Sequence, residues 1–242
     1  TLTIDGKGVS AAALVLTVGG EGNVTTTSSA PIWGTTAAIV KDDSGTLTLG
    51  SYNNFTGATT INDGTVVVSG AGTIPASAVT VNSGATLTVD NSSADLLNRL
   101  SSSALTMNGG NFNYIGSASF ESTESAGALT LSTGHNIITI TPGAGGATSM
   151  TFASLTRTAG ATGLFRGTSF GSTPGANVST LMFTSIGSNL IGAGVTPNLP
   201  NISVIRGAFG DTSLSGTGSD MVTYNIGNTN GLRLLNQVGF SG

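Results

Sequence analysis

Ser44-Gly-Thr-Leu-Thr-Leu-Gly-Ser-Tyr-Asn-Asn-Phe-Thr-Gly-Ala-Thr-Thr-Ile-Asn-Asp-Gly-Thr-Val66 opens on a short run in which a hydroxyl side chain alternates with an apolar one, Thr46-Leu47-Thr48-Leu49. A period of two puts Leu47 and Leu49 on one face and the threonines on the other, as a strand with one buried face requires. Glycine and Asn-Asp-Gly punctuate the runs, because tight turns need residues that accept unusual backbone angles.

Similar runs recur at Gly64-Thr65-Val66-Val67-Val68, Gly84-Ala85-Thr86-Leu87-Thr88-Val89, Ala104-Leu105-Thr106-Met107 and Gly127-Ala128-Leu129-Thr130-Leu131. Aligning Leu47, Val66, Leu87, Leu105 and Leu129 gives steps of 19, 21, 18 and 24 residues. A repeat of roughly 20 residues is too long for one hairpin and too short for a sandwich. It fits one coil of a β-solenoid, in which like strands stack in parallel about 4.8 Å apart. The expected fold is therefore all-β, a right-handed parallel β-solenoid (β-helix) of about 12 coils, a rod nearly 60 Å long at that spacing. Residues 1–43 are expected to form less regular N-terminal coils or a cap, continuous as one domain with a solenoid over 44–242. A single stretch, Ser93 to Leu100, has helical spacing, enough for two turns at most.

Composition narrows the function. Of 242 residues only 7 are Lys or Arg and 11 Asp or Glu, giving a net charge of −4, while Thr, Ser and Gly supply 105 positions. A mean hydropathy of +0.27 with so little charge excludes a disordered chain. The cations Lys7, Lys41, Arg99, Arg157, Arg166, Arg206 and Arg233 are scattered singly, which excludes nucleic acid as a partner. There is no cysteine, hence no disulfide framework, thiolate metal site or Cys nucleophile. The longest apolar stretch, Ala11 to Leu16, is far short of the roughly 20 residues of a membrane-spanning helix, so no membrane span is expected. The chain starts at Thr1 with no basic and apolar leader and reads as a mature product or an excised piece.

The Ser44–Val66 stretch resembles the autotransporter-associated β-strand repeat of large bacterial surface proteins. That motif joins Gly-Thr-Leu-Thr-Leu to an aromatic-Thr-Gly-x-Thr-x-Ile segment and Gly-Thr-hydrophobic, with Phe55 here as the aromatic and Ala58 where glycine is common. Thr123–Leu131, Leu155–Thr162 and Gly218–Asn225 are similar to long-period surface repeat proteins of planctomycete and verrucomicrobial type. The resemblance extends over Gly45–Leu235. It implies an exported, cell-surface solenoid, while the chain's end lacks the aromatic girdles of a membrane barrel.

Candidate chemistry is sparse. Gly167-Thr168-Ser169-Phe170-Gly171 has the spacing of a nucleophile elbow, but no helical pattern follows and the one histidine, His135, precedes the serine. A turn is the better reading, and a lone histidine forms no zinc site. Asp42, Asp43 and Asp63 neither recur at the coil period nor converge as calcium or glycoside cleavage demands. The pairs Thr46/Thr48, Thr86/Thr88 and Thr139/Thr141 suggest an ice-binding ladder, which Val66-Val67-Val68 and Leu105-Thr106-Met107 interrupt; outward threonines chosen for β-propensity explain them. Trp33, Tyr52, Tyr114 and Tyr224 are able to stack on sugars, and Trp33 and Tyr52 are the candidate glycan contacts. Phe55, Phe112, Phe152 and Phe183 read as interior filler.

The expected function is accordingly non-enzymatic: a structural unit of an extracellular fibre, sheath or passenger stalk, without cofactor or metal, meeting itself or neighbouring repeats end to end. Thr1-Leu2-Thr3-Ile4 and Leu232-Arg233-Leu234-Leu235 read as poorly capped ends. The alternatives are a surface adhesin or spike module binding glycans, and a polysaccharide-degrading enzyme with paired acids on one face.

Overall fold

In a computed structural model describing residues 1–11, 13–34, 36–192 and 203–235, the chain winds as a β-solenoid of about 7 turns, about 25 residues apart. Each turn gives one strand to each of two sheets. The first has 11 strands and the second 8. All pairings within the second sheet are parallel, and those of the first are parallel from Leu2–Ile4 as far as Ala208–Asp211. Residues 1–43 already supply Leu2–Ile4 and Val24–Thr26 to the first sheet and Val15–Val18 and Ala38–Lys41 to the second. A short extra pair, Val9–Ser10 with Ile32–Trp33, lines an edge.

The register revises the coil length. Leu47, Val66, Leu87, Phe112, Ile138 and Phe165 stand opposite one another in turn, with steps of 19, 21, 25, 26 and 27 residues. The roughly 20-residue coil thus holds only for the first turns, and 12 coils become about 7. Leu105 and Leu129 are not equivalents of Leu87: they lie in the second sheet, opposite Val79 and Leu155. The coil first lengthens at the longer connection over residues 91–104, between Thr86–Asp90 and Leu105–Asn108, and the following turns carry the longer strands Ser122–Thr133 and Thr148–Arg157.

That loop includes the stretch expected to be helical, which forms turns instead. Its amides are taken by side chains, with Leu96 donating to Asn91 and Arg99 and Leu100 to Glu124. Such side-chain partners compete with the helical ladder. Asn98, with φ 58, also breaks helical geometry.

The core is a continuous column between the sheets. Aromatic rings knit its upper half: Phe112 meets Phe152 edge-on at 5.9 Å, Phe152 stacks on Phe183 at 6.1 Å, and Phe165 and Tyr224 abut Phe183 at 6.3 and 5.6 Å. Phe55, Phe112, Phe152 and Phe183 are all buried, as their spacing predicts.

The two ends differ, which corrects the reading of both as poorly capped. At the C-terminal end the parallel ladder stops: Asp220–Thr223 pairs antiparallel with Ala208–Asp211, and Arg233–Leu234 antiparallel with Asp220–Thr223. Leu232 and Leu234 are buried. The last strand of the second sheet, Ser179–Ser185, is closed by the Tyr224 hydroxyl, which accepts from the Phe183 N–H at 2.8 Å and donates to the Phe183 carbonyl at 2.7 Å. The Leu232 N–H donates to the Leu181 carbonyl. At the N-terminal end Leu2–Ile4 and Val15–Val18 are outermost in their sheets, and Leu2, Leu14 and Val15 are exposed.

Replacing Phe152 with Ala removes the ring that contacts both Phe112 and Phe183 and should lower stability by about 3–5 kcal/mol. Chemical denaturation should show the loss as a reduced unfolding midpoint, and an unchanged midpoint would contradict this packing.

Candidate functional site

The turns that end the second-sheet strands stack into a side-chain ladder. Asn62 donates from Nδ2 to Asp42 Oδ1 at 2.7 Å, Asn82 to Asn62 Oδ1 at 2.7 Å, and Asn108 to Asn82 Oδ1 at 2.8 Å. Asn62 and Asn82 each donate down and accept from above, an arrangement that only a donor–acceptor side chain at the same point of successive coils can make. The asparagines therefore do not serve as left-handed turn residues. That role falls to Gly64, Gly84 and Gly109, all with positive φ. At Gly64 a Cβ would also lie 2.4 Å from the Asp43 and Gly45 carbonyl oxygens.

At the foot of this ladder Lys41 occupies an inward position, opposite Val18 and Ile61. Its stem is buried, and its Nζ donates to the Asp42 and Asp43 carbonyls at 2.5 and 2.6 Å. Burial pushes its ammonium below the ordinary value, against the opposing pull of Asp43, Asp63 and Asp42. Asp42 and Asp43 are used structurally, Asp43 Oδ2 accepting from the Gly20 N–H. Among the described residues no group of three or more His, Asp or Glu is placed to hold a metal ion.

The remaining sequence candidates separate. Ser169 lies in a turn with φ 57, and no helix follows it. His135 Nδ1 is 2.9 Å from Thr162 Oγ1. Tyr114 and Tyr224 are buried and offer no face to a sugar, whereas Trp33 and Tyr52 are 45% and 71% exposed. Those two are brought to one edge on successive coils, because Ile32 donates to Asn53 Oδ1 and accepts from the Asn54 N–H.

Leu105-Thr106-Met107 does not interrupt a threonine file. Leu105 and Met107 point inward, and Thr60, Thr80, Thr106, Thr130 and Thr156 stand in one continuous outward row. In the first sheet Val67 does break the row, between Thr48 and Thr88.

A buried polar cluster inside the rod has no counterpart in the sequence reading. Arg99 is fully buried, donating from its Nη atoms to the Gly72 and Ala94 carbonyls at 2.9 and 2.6 Å and from Nε to Asn91 Oδ1. Asp95 Oδ1 accepts from Asn91 Nδ2 and from Ser122 Oγ. Glu124, also fully buried, accepts the Arg99 and Leu100 N–H groups at 2.9 and 3.1 Å. Burial pushes its carboxyl up to about 7, outweighing those donors and the Arg99 charge. Burial likewise pulls Arg99 down and raises the Tyr114 phenol.

With this geometry in place, the comparisons with known proteins give one result. Residues 39–68 match the family model of the passenger-associated-transport-repeat, the segment that holds the base of the asparagine ladder and the first regular coils. The matched repeat and the β-solenoid together suggest an autotransporter passenger-type structural domain, with a secreted location. No curated protein and no solved structure matches the chain.

Asn82→Ala removes the middle rung, leaving Asn62 Oδ1 and Asn108 Nδ2 without this partner, and should cost about 0.5–1.5 kcal/mol. Thermal unfolding should register the loss, whereas Asn82→Gln, too long for the rung, should not restore it.

Proposed function

We propose that the chain is a non-enzymatic structural unit of a secreted bacterial surface protein, a segment of passenger stalk, fibre or sheath. The observation that carries this reading is the stacking: one parallel ladder runs from Leu2–Ile4 to Ala208–Asp211 and the other from Val15–Val18 to Ser179–Ser185, with one core between them, and Thr60, Thr80, Thr106, Thr130 and Thr156 form an outward row. In such a fold each coil rests on its neighbours, so length and stiffness come from repetition. Lys41, Arg99 and Arg157 donate to turn and loop carbonyls, and Asp42 and Asp43 accept from neighbouring coils.

End-to-end contact belongs to the same reading and falls to the N-terminal end. Its open edges, Leu2–Ile4 and Val15–Val18, contain no charge and no proline to blunt pairing with another strand. The C-terminal end is closed by antiparallel strands and Tyr224. A second reading, glycan binding, is favoured by the placement of exposed Trp33 and Tyr52 on one edge.

Digestion of the native chain with a broad-specificity protease should leave the region from Thr46 to Gly167 intact, and assays on polysaccharides should show no turnover. Rapid cutting within those coils, or measurable turnover, would overturn the structural reading. Saturable binding on a glycan array that is lost in Trp33→Ala and Tyr52→Ala would establish the second. If the N-terminal edge mediates contact, any concentration-dependent association seen by sedimentation should disappear in Val15→Lys. Association that persists in that variant would place the contact elsewhere.

A further inference from the structure

We propose that one edge of the rod, formed by the connections from the first sheet to the second, is a lengthwise track for a linear, neutral polysaccharide contacted by Trp33, Tyr52, Leu97 and Phe120. The track rests on the glycan reading and extends it to a ligand class, a direction along the rod and two further contact residues.

Each coil joins its strands by unlike connections. From the second sheet to the first the chain makes short turns, such as 62–64, 83–85 and 109–110, and from the first sheet to the second it takes the longer segments 27–37, 50–58, 69–78, 91–104 and 116–121. These segments rest one upon the next. The Ile32 N–H donates to Asn53 Oδ1 at 2.8 Å, Asn53 Nδ2 to the Thr73 carbonyl at 2.8 Å, the Ile74 N–H to the Arg99 carbonyl at 2.7 Å, and Ser122 Oγ, at the end of the last segment, to Asp95 Oδ1 at 2.9 Å. Among the described residues from 16 to 190, the exposed large apolar side chains are Trp33, Tyr52, Leu97 and Phe120, between 45% and 71% exposed, and all four lie on these segments. Exposed apolar groups gathered on one side of a molecule mark an interaction surface.

The chemistry of the edge selects the ligand. The five segments contain three charged residues, Asp95, Arg99 and Glu121. Arg99 is buried, with its guanidinium turned to Gly72, Ala94 and Asn91, and Asp95 Oδ1 accepts from Asn91 and Ser122. With no exposed cation the edge has no partner for a phosphate, sulfate or uronate. Exposed Asn54, Ser93, Asn98 and Ser119 stand between the apolar side chains. Apolar groups that meet the C–H face of a sugar, flanked by amides and hydroxyls that meet its hydroxyl rim, suit a neutral glycan. A protein partner needs a close-packed apolar centre, whereas here the four side chains stand on separate coils and the middle segment exposes only Ala71, Ala76 and Ala78. Trp33 and Phe120 are four ladder steps apart, about 19 Å along the rod, so one ligand touching both must be extended and lie along the axis.

Electrophoresis of the intact chain through native gels containing linear β-glucan, mannan, galactan or polygalacturonate tests the track. At least one neutral polymer should retard the chain, and polygalacturonate should not. Phe120→Ala and, independently, Leu97→Ser should each weaken the affinity for that polymer about threefold to tenfold, while His135→Ala, outside these segments, should leave it unchanged. Affinity for oligosaccharides of the same polymer should rise with length until the chain reaches about 19 Å, and Phe120→Ala should abolish the last part of that rise. Retardation that is lost in Trp33→Ala and Tyr52→Ala but untouched by Phe120→Ala and Leu97→Ser would overturn the lengthwise track and leave the glycan reading standing. Retardation by polygalacturonate alone would overturn the choice of a neutral ligand. Retardation by none of the polymers would overturn the track together with the reading it rests on. Self-association of the chain that Phe120→Ala abolishes, with no retardation in any gel, would give the edge to a protein partner and overturn the track as well.

Discussion

Everything in this molecule depends on the parallel backbone ladder that sets one coil directly upon the next. A single coil of 19 to 27 residues has too little interior to bury its own apolar face. Once Leu47, Val66, Leu87, Phe112, Ile138 and Phe165 stand in register, each covers the one below, and a continuous core results. The same in-register constraint makes the asparagine ladder possible, because Asn62, Asn82 and Asn108 face each other only if the turns repeat in place. It also explains the crowding at Gly64, where successive turns come within contact of one another.

The register is interrupted where something other than repetition is built. The 91–103 insertion brings Arg99 and Glu124 into the interior. Burying two charged groups without a direct pair is costly unless each is fully hydrogen-bonded, and here carbonyls, amides and Asn91 supply those bonds. At the C-terminal end the ladder is closed by reversed strands and by a tyrosine hydroxyl standing in for a strand neighbour.

The class of fold was legible in the alternation of Thr46-Leu47-Thr48-Leu49 and its recurrences, because a period of two and glycine-rich turns are local properties. Coil length was not. Leu105-Thr106-Met107 has the same local signature as Thr86-Leu87-Thr88-Val89, and nothing in four residues says which of two sheets a strand joins. Glu124 was hidden for a different reason. Counting back by twos from the inward Leu131 and Leu129 puts residue 124 outside, but the chain shifts phase at Gly127-Ala128, where two successive residues are both only partly buried. Trp33 and Tyr52 illustrate a third limit: 19 positions apart in sequence, they come to one edge only because their coils stack.

The most direct test of the stacked-coil account is a distance across one ladder step. The chain contains no cysteine, so nitroxide labels can be placed at Thr88→Cys and Asn113→Cys, which stand opposite each other on adjacent strands of the first sheet. Strands about 4.8 Å apart predict strong dipolar broadening for that pair and little for Thr88→Cys with Thr106→Cys, on opposite faces of the rod. Broadening in the second pair but not the first would mean that the coils are not stacked in this register, and the account would fail with it.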